Sequence, residues 1–167
     1  MSTKGPVPAA LLIIIAMFLV LLSGAIGFVY SVPLYTSSFN ANSNVTQSFY
    51  RAAIQEGYNY TISQIQSLMR QASEAIMGIS AFMIVLGVMT WFFVYRPDSR
   101  GQFPRASLGA LMMGILYILV SFEGIAYDLV LCLIGGALLI YSWYRIRSFS
   151  RALAAQEAAE APATPGP

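Results

Sequence analysis

The sequence predicts an all-α membrane protein with four transmembrane helices and an extracytoplasmic helical projection that is continuous with the second span. Of the 167 residues, 57% are hydrophobic and only 10% are charged, whereas soluble domains carry roughly a quarter charged residues. Charged side chains are absent from four long stretches, which lie between Lys4 and Arg51, Glu74 and Arg96, Arg105 and Glu123, and Asp128 and Arg145. Because a crossing helix needs roughly 20 apolar residues, these stretches indicate four spans.

The first span is predicted over residues 6–32, after a short N-terminus of residues 1–5. Its apolar run is longer than the roughly 7–15 residues of a signal peptide, and only Lys4 precedes it as a positive charge, so a retained span is favoured. Pro33 lacks a backbone N–H, and we expect the first helix to end near it.

The other spans are predicted over residues 75–95, 106–122 and 129–144. Between the second and third lies a loop, 96–105, in which Pro97, Gly101 and Pro104 favour a tight turn outside the hydrocarbon. A turn of residues 123–128 joins the third span to the fourth. These last two spans each cover about 25 Å of the roughly 30 Å hydrocarbon thickness, so they must recruit flanking residues or thin the bilayer locally.

The basic residues predict the orientation in the membrane. Seven of the nine lie beside span ends that alternate crossing places on one side: Lys4, Arg96, Arg100, Arg105, Arg145, Arg147 and Arg151. By the positive-inside rule this side is cytoplasmic, which places both termini in the cytoplasm and residues 33–74 outside a cell membrane. The basic C-terminal end, 145–167, becomes Ala-rich and then Pro-rich, and we expect it to fray from a short helix into disorder.

An apolar seam crosses the predicted boundary between the extracytoplasmic segment and the second span. Steps of four and three residues alternate along it, as in a single amphipathic helix with a polar opposite face. The seam consists of Tyr58, Ile62, Ile65, Met69, Ala72, Ile76, Ile79, Met83, Leu86, Thr90 and Phe93. Tyr58 to Phe93 is therefore predicted to form one helix, whose first part projects about 25 Å beyond the bilayer.

The projecting part of that seam is the candidate partner-binding site. It comprises Tyr58, Ile62, Ile65, Met69 and Ala72, and an apolar stripe outside a membrane must be covered by something. One candidate cover is the preceding part of the same chain, folded back at Gly57. The other is a second protein, so both an intramolecular contact and a partner surface stay open.

Three acidic residues and two Asn-X-Thr triplets are further candidates. Glu74, Glu123 and Asp128 are weak candidates for a divalent-cation site, since carboxylate oxygens suit such ions. The alternative is structural, with Asp128 capping the start of the fourth helix. Asn44 and Asn59 each begin an acceptor triplet for glycosylation, which fits an extracytoplasmic segment, although such triplets also arise by chance in sequences rich in Asn and Thr.

The remaining composition argues against several functions. The chain has no histidine, which removes the commonest metal ligand and the usual general base, and its single cysteine, Cys132, permits neither an intrachain disulfide nor a structural zinc site. A net charge of +2 that is scattered over span ends does not predict nucleic-acid binding. We expect no cofactor and no enzymatic activity. Glycines within the spans indicate close helix packing inside the protein or, alternatively, a dimer or pore face.

These features favour a non-enzymatic integral membrane protein that serves as an accessory or scaffold subunit of a larger membrane or envelope assembly. Its expected partners are the lipid bilayer and other membrane protein subunits or copies of itself. The alternative is a small oligomeric transporter or channel, which needs a polar path through the membrane. The hydroxyl groups available for such a path belong to Ser80, Thr90, Ser107, Tyr117 and Ser121.

Overall fold

A computed structural model of the protein describes residues 9–122 and 126–160, although it does not describe the side chains of residues 126–129 and 160. The described chain is helical with short connections and contains no strand, which confirms the all-α class. Its elements are α1 (Ala10–Ser37), α2 (Asn44–Gln55), α3 (Ile62–Thr90), a π-helical turn (Trp91–Tyr95), α4 (Arg96–Ser99), α5 (Phe103–Ser121) and α6 (Ala126–Glu160).

Four helical stretches are long and apolar enough to cross a membrane: Ala10–Ser37, Ile62–Ser99, Phe103–Ser121 and Val130–Ala159. Their number and order agree with the four predicted spans. The third and fourth stretches are longer than the spans predicted there. At 1.5 Å per residue, α5 alone reaches about 28 Å. The chain is therefore a multi-pass helical membrane protein.

The first helix does not end at Pro33, contrary to expectation. Pro33 lies inside α1, which continues to Ser37. Although proline removes one helical hydrogen bond, the carbonyl groups beside it gain others. The Thr36 hydroxyl lies 3.1 Å from both the Val32 and the Pro33 carbonyl oxygens, and the Ser38 N–H donates to the Leu34 carbonyl at 3.1 Å. The helix therefore absorbs the proline within its last turns.

The predicted loop 96–105 is shorter than expected, because Pro97 does not interrupt the helix. A π-helical turn precedes it, and this wider turn relieves the contact that an α-helix imposes between a proline ring and the carbonyl group four residues earlier. Only residues 100–102 are non-helical. Gly101, with φ of +75°, ends α4 in a Schellman motif, in which Gln102 N–H donates to the Pro97 carbonyl and Gly101 N–H to the Asp98 carbonyl.

The C-terminal helix also extends beyond its predicted end. Residues 152–160, expected to fray, continue α6 to Glu160, and the high helix propensity of alanine accounts for this. The predicted disorder of residues 161–167 and the predicted N-terminus 1–5 lie outside the described residues.

The chain divides into two compact units, and α5 and α6 form the centre of one of them (Met1–Val20 with Leu86–Pro167). The two helices are antiparallel and approach closely at two glycines. A Cβ atom on residue 114 would lie 2.9 Å from Ile140 Cγ1, and one on residue 136 would lie 2.9 Å from the Gly114 carbonyl oxygen. Near the other end of this pair, the rings of Phe103 and Phe149 meet edge to face at 5.2 Å.

The other unit, Leu21–Val85, contains most of α1, all of α2 and most of α3. α1 approaches α3 closely at Gly24, since a Cβ atom there would lie 2.8 Å from the Ser80 carbonyl oxygen and 3.0 Å from Ile84 Cγ1. The glycine contacts in both units support the intramolecular interpretation of the span glycines.

Candidate partner-binding surface

The segment that connects α1 to α3, residues 38–61, is held by side-chain hydrogen bonds at its first turn. Ser43 is the N-cap of α2, and its hydroxyl accepts a bond of 3.1 Å from the Thr46 N–H. The Thr46 hydroxyl, fully buried, donates to the Ser37 carbonyl at 2.9 Å. Because these bonds join the start of α2 to the last residue of α1, α2 is fixed rather than free to swing.

A glycine turn ends α2, as the fold-back interpretation of Gly57 requires. Gly57 has φ of +86°, a region that favours glycine. Its N–H donates to the Ile54 carbonyl at 3.0 Å, and the Tyr58 N–H donates to the Ala53 carbonyl at 2.9 Å, which together form a second Schellman motif. The chain then runs to α3 in four non-helical residues.

The long helix begins at Ile62 rather than at the predicted Tyr58. Thr61 and Gln64 form a capping box in which the Gln64 side-chain oxygen accepts from the Thr61 N–H at 2.8 Å and the Thr61 hydroxyl accepts from the Gln64 N–H at 3.3 Å. The Thr-X-X-Gln pattern was present in the sequence and would have located this start. Tyr58 stands before the helix instead, with its ring stacked on that of Tyr60 at 5.6 Å.

The predicted partner-binding residues do not share one environment. Ile65 and Met69 are buried within the chain, with 6% and 4% of their surface exposed, and Ile62 is half-buried. Ile65 and Met69 are therefore covered in this structure, and a partner contact at these two residues stays a prediction. Tyr58 and Ala72 are exposed. The centre of the projecting seam is thus buried and its two ends are exposed.

The buried seam also drifts relative to the predicted one. Ser73 and Ser80 are buried where Ala72 and Ile79 were expected, whereas Met83, Leu86 and Thr90 further along the helix are buried as the seam predicts. Each buried serine donates its hydroxyl to its own helix, Ser73 to the Arg70 carbonyl at 2.9 Å and Ser80 to the Ile76 carbonyl at 2.7 Å. Their burial therefore leaves no hydroxyl unsatisfied.

A different set of apolar side chains in this unit is exposed. We call it the exposed apolar set, and it consists of Phe39, Val45, Phe49, Ile54, Tyr58, Tyr60 and Leu68. Val45, Phe49 and Ala52 follow one another at helical spacing on the exposed side of α2. The guanidinium group of Arg70 lies 4.3 Å from the centre of the Phe39 ring, a cation–π contact that fixes the aromatic side chain. Of this set, the sequence analysis singled out only Tyr58, because it followed the seam of α3 and did not consider the exposed side of α2.

The two glycosylation triplets lie in different local structures. Asn44 is the first residue of α2 and is exposed, but the threonine of its triplet, Thr46, is buried and hydrogen-bonded. Asn59 is exposed in the non-helical connection, and its threonine is the capping residue Thr61. Both asparagines are accessible, and their modification stays a prediction.

Of the three acidic candidates, only Glu74 has a side chain within the described part of the chain. Glu74 is exposed on α3. Glu123 lies outside the described residues, and Asp128 belongs to α6 but its side chain is not described. Among the described side chains, no group of three or more cysteines, aspartates or glutamates is arranged to hold a metal ion. The cation site and the capping role of Asp128 both stay predictions.

The hydroxyl groups considered for a polar path are engaged in hydrogen bonds. The Thr90 hydroxyl donates to the Leu86 carbonyl at 2.8 Å and lies 2.7 Å from the Tyr117 hydroxyl, which joins α3 to α5 in the buried interior. Ser107 and Ser121 donate to the carbonyl groups of Pro104 and Ile118. These bonds give the hydroxyl groups structural roles within their helices.

One buried acid was not singled out from the sequence. Asp98 in α4 is 2% exposed, and neither of its carboxylate oxygens has a hydrogen-bond partner within the described chain. Burying a charged group without a partner costs several kcal/mol. The sequence places Asp98 in a loop, where an acid is ordinary, and only the helical course of residues 96–99 reveals its burial.

The chain is similar to no protein-family model, no curated protein and no solved structure with which it was compared. The fold and its composition therefore define the class of protein, a multi-pass helical membrane protein, and the function rests on the surfaces described above.

Proposed function

We propose that this protein is a non-enzymatic integral membrane protein that acts as an accessory or scaffold subunit of a larger membrane or envelope assembly. The observation that carries the proposal is the exposed apolar set on the unit Leu21–Val85. Exposed apolar side chains that are grouped in one part of a protein mark sites of interaction, and aromatic residues contribute most of the binding energy at such sites.

The local structure around the set favours recognition of a partner. The Schellman motif at Gly57 and the capping box at Thr61 hold the connection rigid, and Tyr58 and Tyr60 are stacked before any partner binds. A preordered surface loses little conformational entropy on association, which favours affinity. We infer that the partner is another membrane subunit or a copy of this chain.

We infer an orientation with both termini in the cytoplasm of a cell membrane and residues 33–74 outside. The basic residues near the ends of the helices support it, as the positive-inside rule describes. The orientation is tested with single cysteines introduced at Ser67 and Ser148, both exposed, in a Cys132→Ala background. A membrane-impermeant maleimide applied to intact cells should label position 67 and not position 148, and the opposite pattern would invert the topology.

The subunit role is tested by replacing exposed members of the set rather than the buried seam. Phe49→Ser and Leu68→Ser should release the associated protein, or reduce the size of a homo-oligomer, in gentle detergent measured by light scattering after gel filtration. Ser67→Ala, adjacent to Leu68 and also exposed, is the matched control. Ile65→Ser is unsuitable because it disrupts the interior whether or not a partner binds.

The proposal fails if the wild-type protein, extracted gently from its native membrane, is a homogeneous monomer, or if both serine variants keep the wild-type size and composition. The alternative of a small oligomeric transporter or channel has weaker support, because the candidate hydroxyl groups are engaged within helices. Solute flux into liposomes that contain the purified protein would favour it.

A further inference from the structure

A groove of about 520 Å³ lies beside the π-helical turn and the first turns of α5. Arg96, Arg100 and Arg105 all line it. They come from the last turns of one long helix, the turn that follows and the first turn of the next helix. Most of the remaining lining is apolar and includes Phe92 and Leu108. The groove thus combines a cluster of positive charge with a hydrocarbon wall.

Local structure explains why these residues meet. A Cβ atom on residue 109 would collide with the carbonyl oxygen of Phe93, so α5 approaches the π-helical turn as closely as backbones allow. Gly101 reverses the chain within three non-helical residues. The short reversal holds Arg100 and Arg105 on either side of the turn, and the close approach sets Phe92 and Leu108 along one groove.

The positive charge of the groove is not neutralised within the protein. Among the side chains that the structure describes, none forms an ion pair with these three guanidinium groups, and all three are exposed. Asp98 is the acid that lies nearest to them along the sequence, but its carboxylate is buried and neither oxygen has a hydrogen-bond partner among the described residues. Three exposed cations therefore converge on one groove whose natural complement is an anion.

We propose that this groove binds the phosphate group of an anionic phospholipid from the surrounding membrane. Guanidinium groups present paired N–H donors that match phosphate oxygens in a bidentate manner. Phe92, Leu108 and Met112 are 51%, 59% and 57% exposed and line the same groove, so they offer a surface for the first part of an acyl chain. A basic pocket between helices at a membrane surface is a recognised form of lipid headgroup site.

A lipid fits the groove better than a soluble phosphate compound because of where the groove lies along the helix. Trp91 and Tyr95, stacked at 4.4 Å, occupy the π-helical turn directly before Arg96, and such aromatic residues concentrate at the level of lipid headgroups. The apolar part of the lining continues towards the middle of the span. This inference needs only that the helices cross a membrane, and it does not depend on the proposed subunit role.

The test is lipid binding to the full-length protein in neutral detergent, measured by native mass spectrometry with dioleoyl phosphatidylglycerol and dioleoyl phosphatidylcholine as probes. Phosphatidylglycerol should bind more tightly, and Arg96→Gln, Arg100→Gln and Arg105→Gln should each weaken it about fivefold, the factor for about 1 kcal/mol per cation. Met112→Ser should weaken binding of the same lipid. Arg151→Gln, exposed and outside the groove, is the control for net charge and should bind within twofold of the wild type.

Three results would overturn the proposal. The first is equal affinity for the two lipids, and the second is a loss in Arg151→Gln as large as that in Arg100→Gln, which would indicate a diffuse charge effect. The third is displacement of phosphatidylglycerol by millimolar inorganic phosphate with no effect of Met112→Ser, which would define a free-phosphate site. All the substituted side chains are exposed, and circular dichroism of each variant verifies that the fold is retained.

Discussion

The glycine contact between α5 and α6 leads to a quantitative prediction. Gly136→Ala places a methyl group 2.8 Å from Ile118 Cγ1 and 2.9 Å from the Gly114 carbonyl oxygen, distances at which the helices must separate or the isoleucine must move. Overpacking of this kind costs about 2 kcal/mol, and the higher helix propensity of alanine returns about 1 kcal/mol. We therefore expect a net destabilisation of about 1 kcal/mol, or roughly 2–4 °C in melting temperature for a chain of this length.

The matched control is Gly78→Ala. Gly78 lies in α3 with nothing within 4 Å of a Cβ atom at its position, so only the propensity term operates and the variant should be as stable as the wild type or more stable. Gly114→Ala should resemble Gly136→Ala. The double variant should cost less than the sum of the two, because one separation of the helices relieves both contacts.

Equilibrium unfolding in mixed micelles of dodecyl maltoside and dodecyl sulfate, followed by tryptophan fluorescence, measures these differences. The reasoning is refuted if Gly136→Ala is as stable as the wild type while Gly78→Ala is the less stable variant. Additive losses in the double variant would contradict the shared contact and leave only independent strain at each glycine.

Three further predictions concern polar groups. Tyr117→Phe should destabilise by about 0.6 kcal/mol, the typical strength of a hydrogen bond between membrane helices, and a double-mutant cycle with Thr90→Val should recover that value as coupling; zero coupling would exclude the bond. Asp98→Asn should raise the free energy of unfolding by about 1 kcal/mol or more, because it removes a buried charge that lacks a partner; a loss of stability would show that the carboxylate is satisfied in the membrane. Thr61→Ala should accelerate amide hydrogen exchange in the first turn of α3 and lower the free energy of unfolding by about 1 kcal/mol. Thr61→Ser keeps the capping hydroxyl and should do neither. Equal exchange rates in the two variants would argue against the capping box with Gln64.

The sequence predicts the number of spans because long uncharged runs have one stable outcome in a bilayer, a helix. It predicts helix ends less well, since an end depends on side-chain hydrogen bonds that overrule propensity. α1 continues past Pro33 to Ser37, and the capping box places the start of α3 at Ile62. The first effect has no simple sequence signature, while the second has one that is readable in advance.

The candidate surface could be predicted only in part. The seam identified the apolar face of α3, and the structure places the centre of that face inside the protein. Which part of that face is buried depends on contacts with segments distant in the chain, such as the approach of Gly24 in α1 to Ser80 and Ile84 in α3. A helical period within one segment carries no information about such a contact. The burial of Asp98 could not be predicted from the sequence either, because it depends on the π-helical turn that precedes α4.

The π-helical turn at Trp91–Tyr95 changes which of the following residues face the interior, because it takes up one residue more than a turn of α-helix. In an uninterrupted α-helix, two turns after Thr90 the buried face would return at residue 97; with the wider turn it returns at Val94 and then Asp98. A regular α-helix over the same residues would instead turn Pro97 inward and move Arg96 and Arg100 around the helix, whereas deletion of one residue from the turn would let an α-helix keep Asp98 on the buried face. The π-helical turn therefore sets which side chains after Tyr95 are buried, separately from the pattern of burial before Thr90.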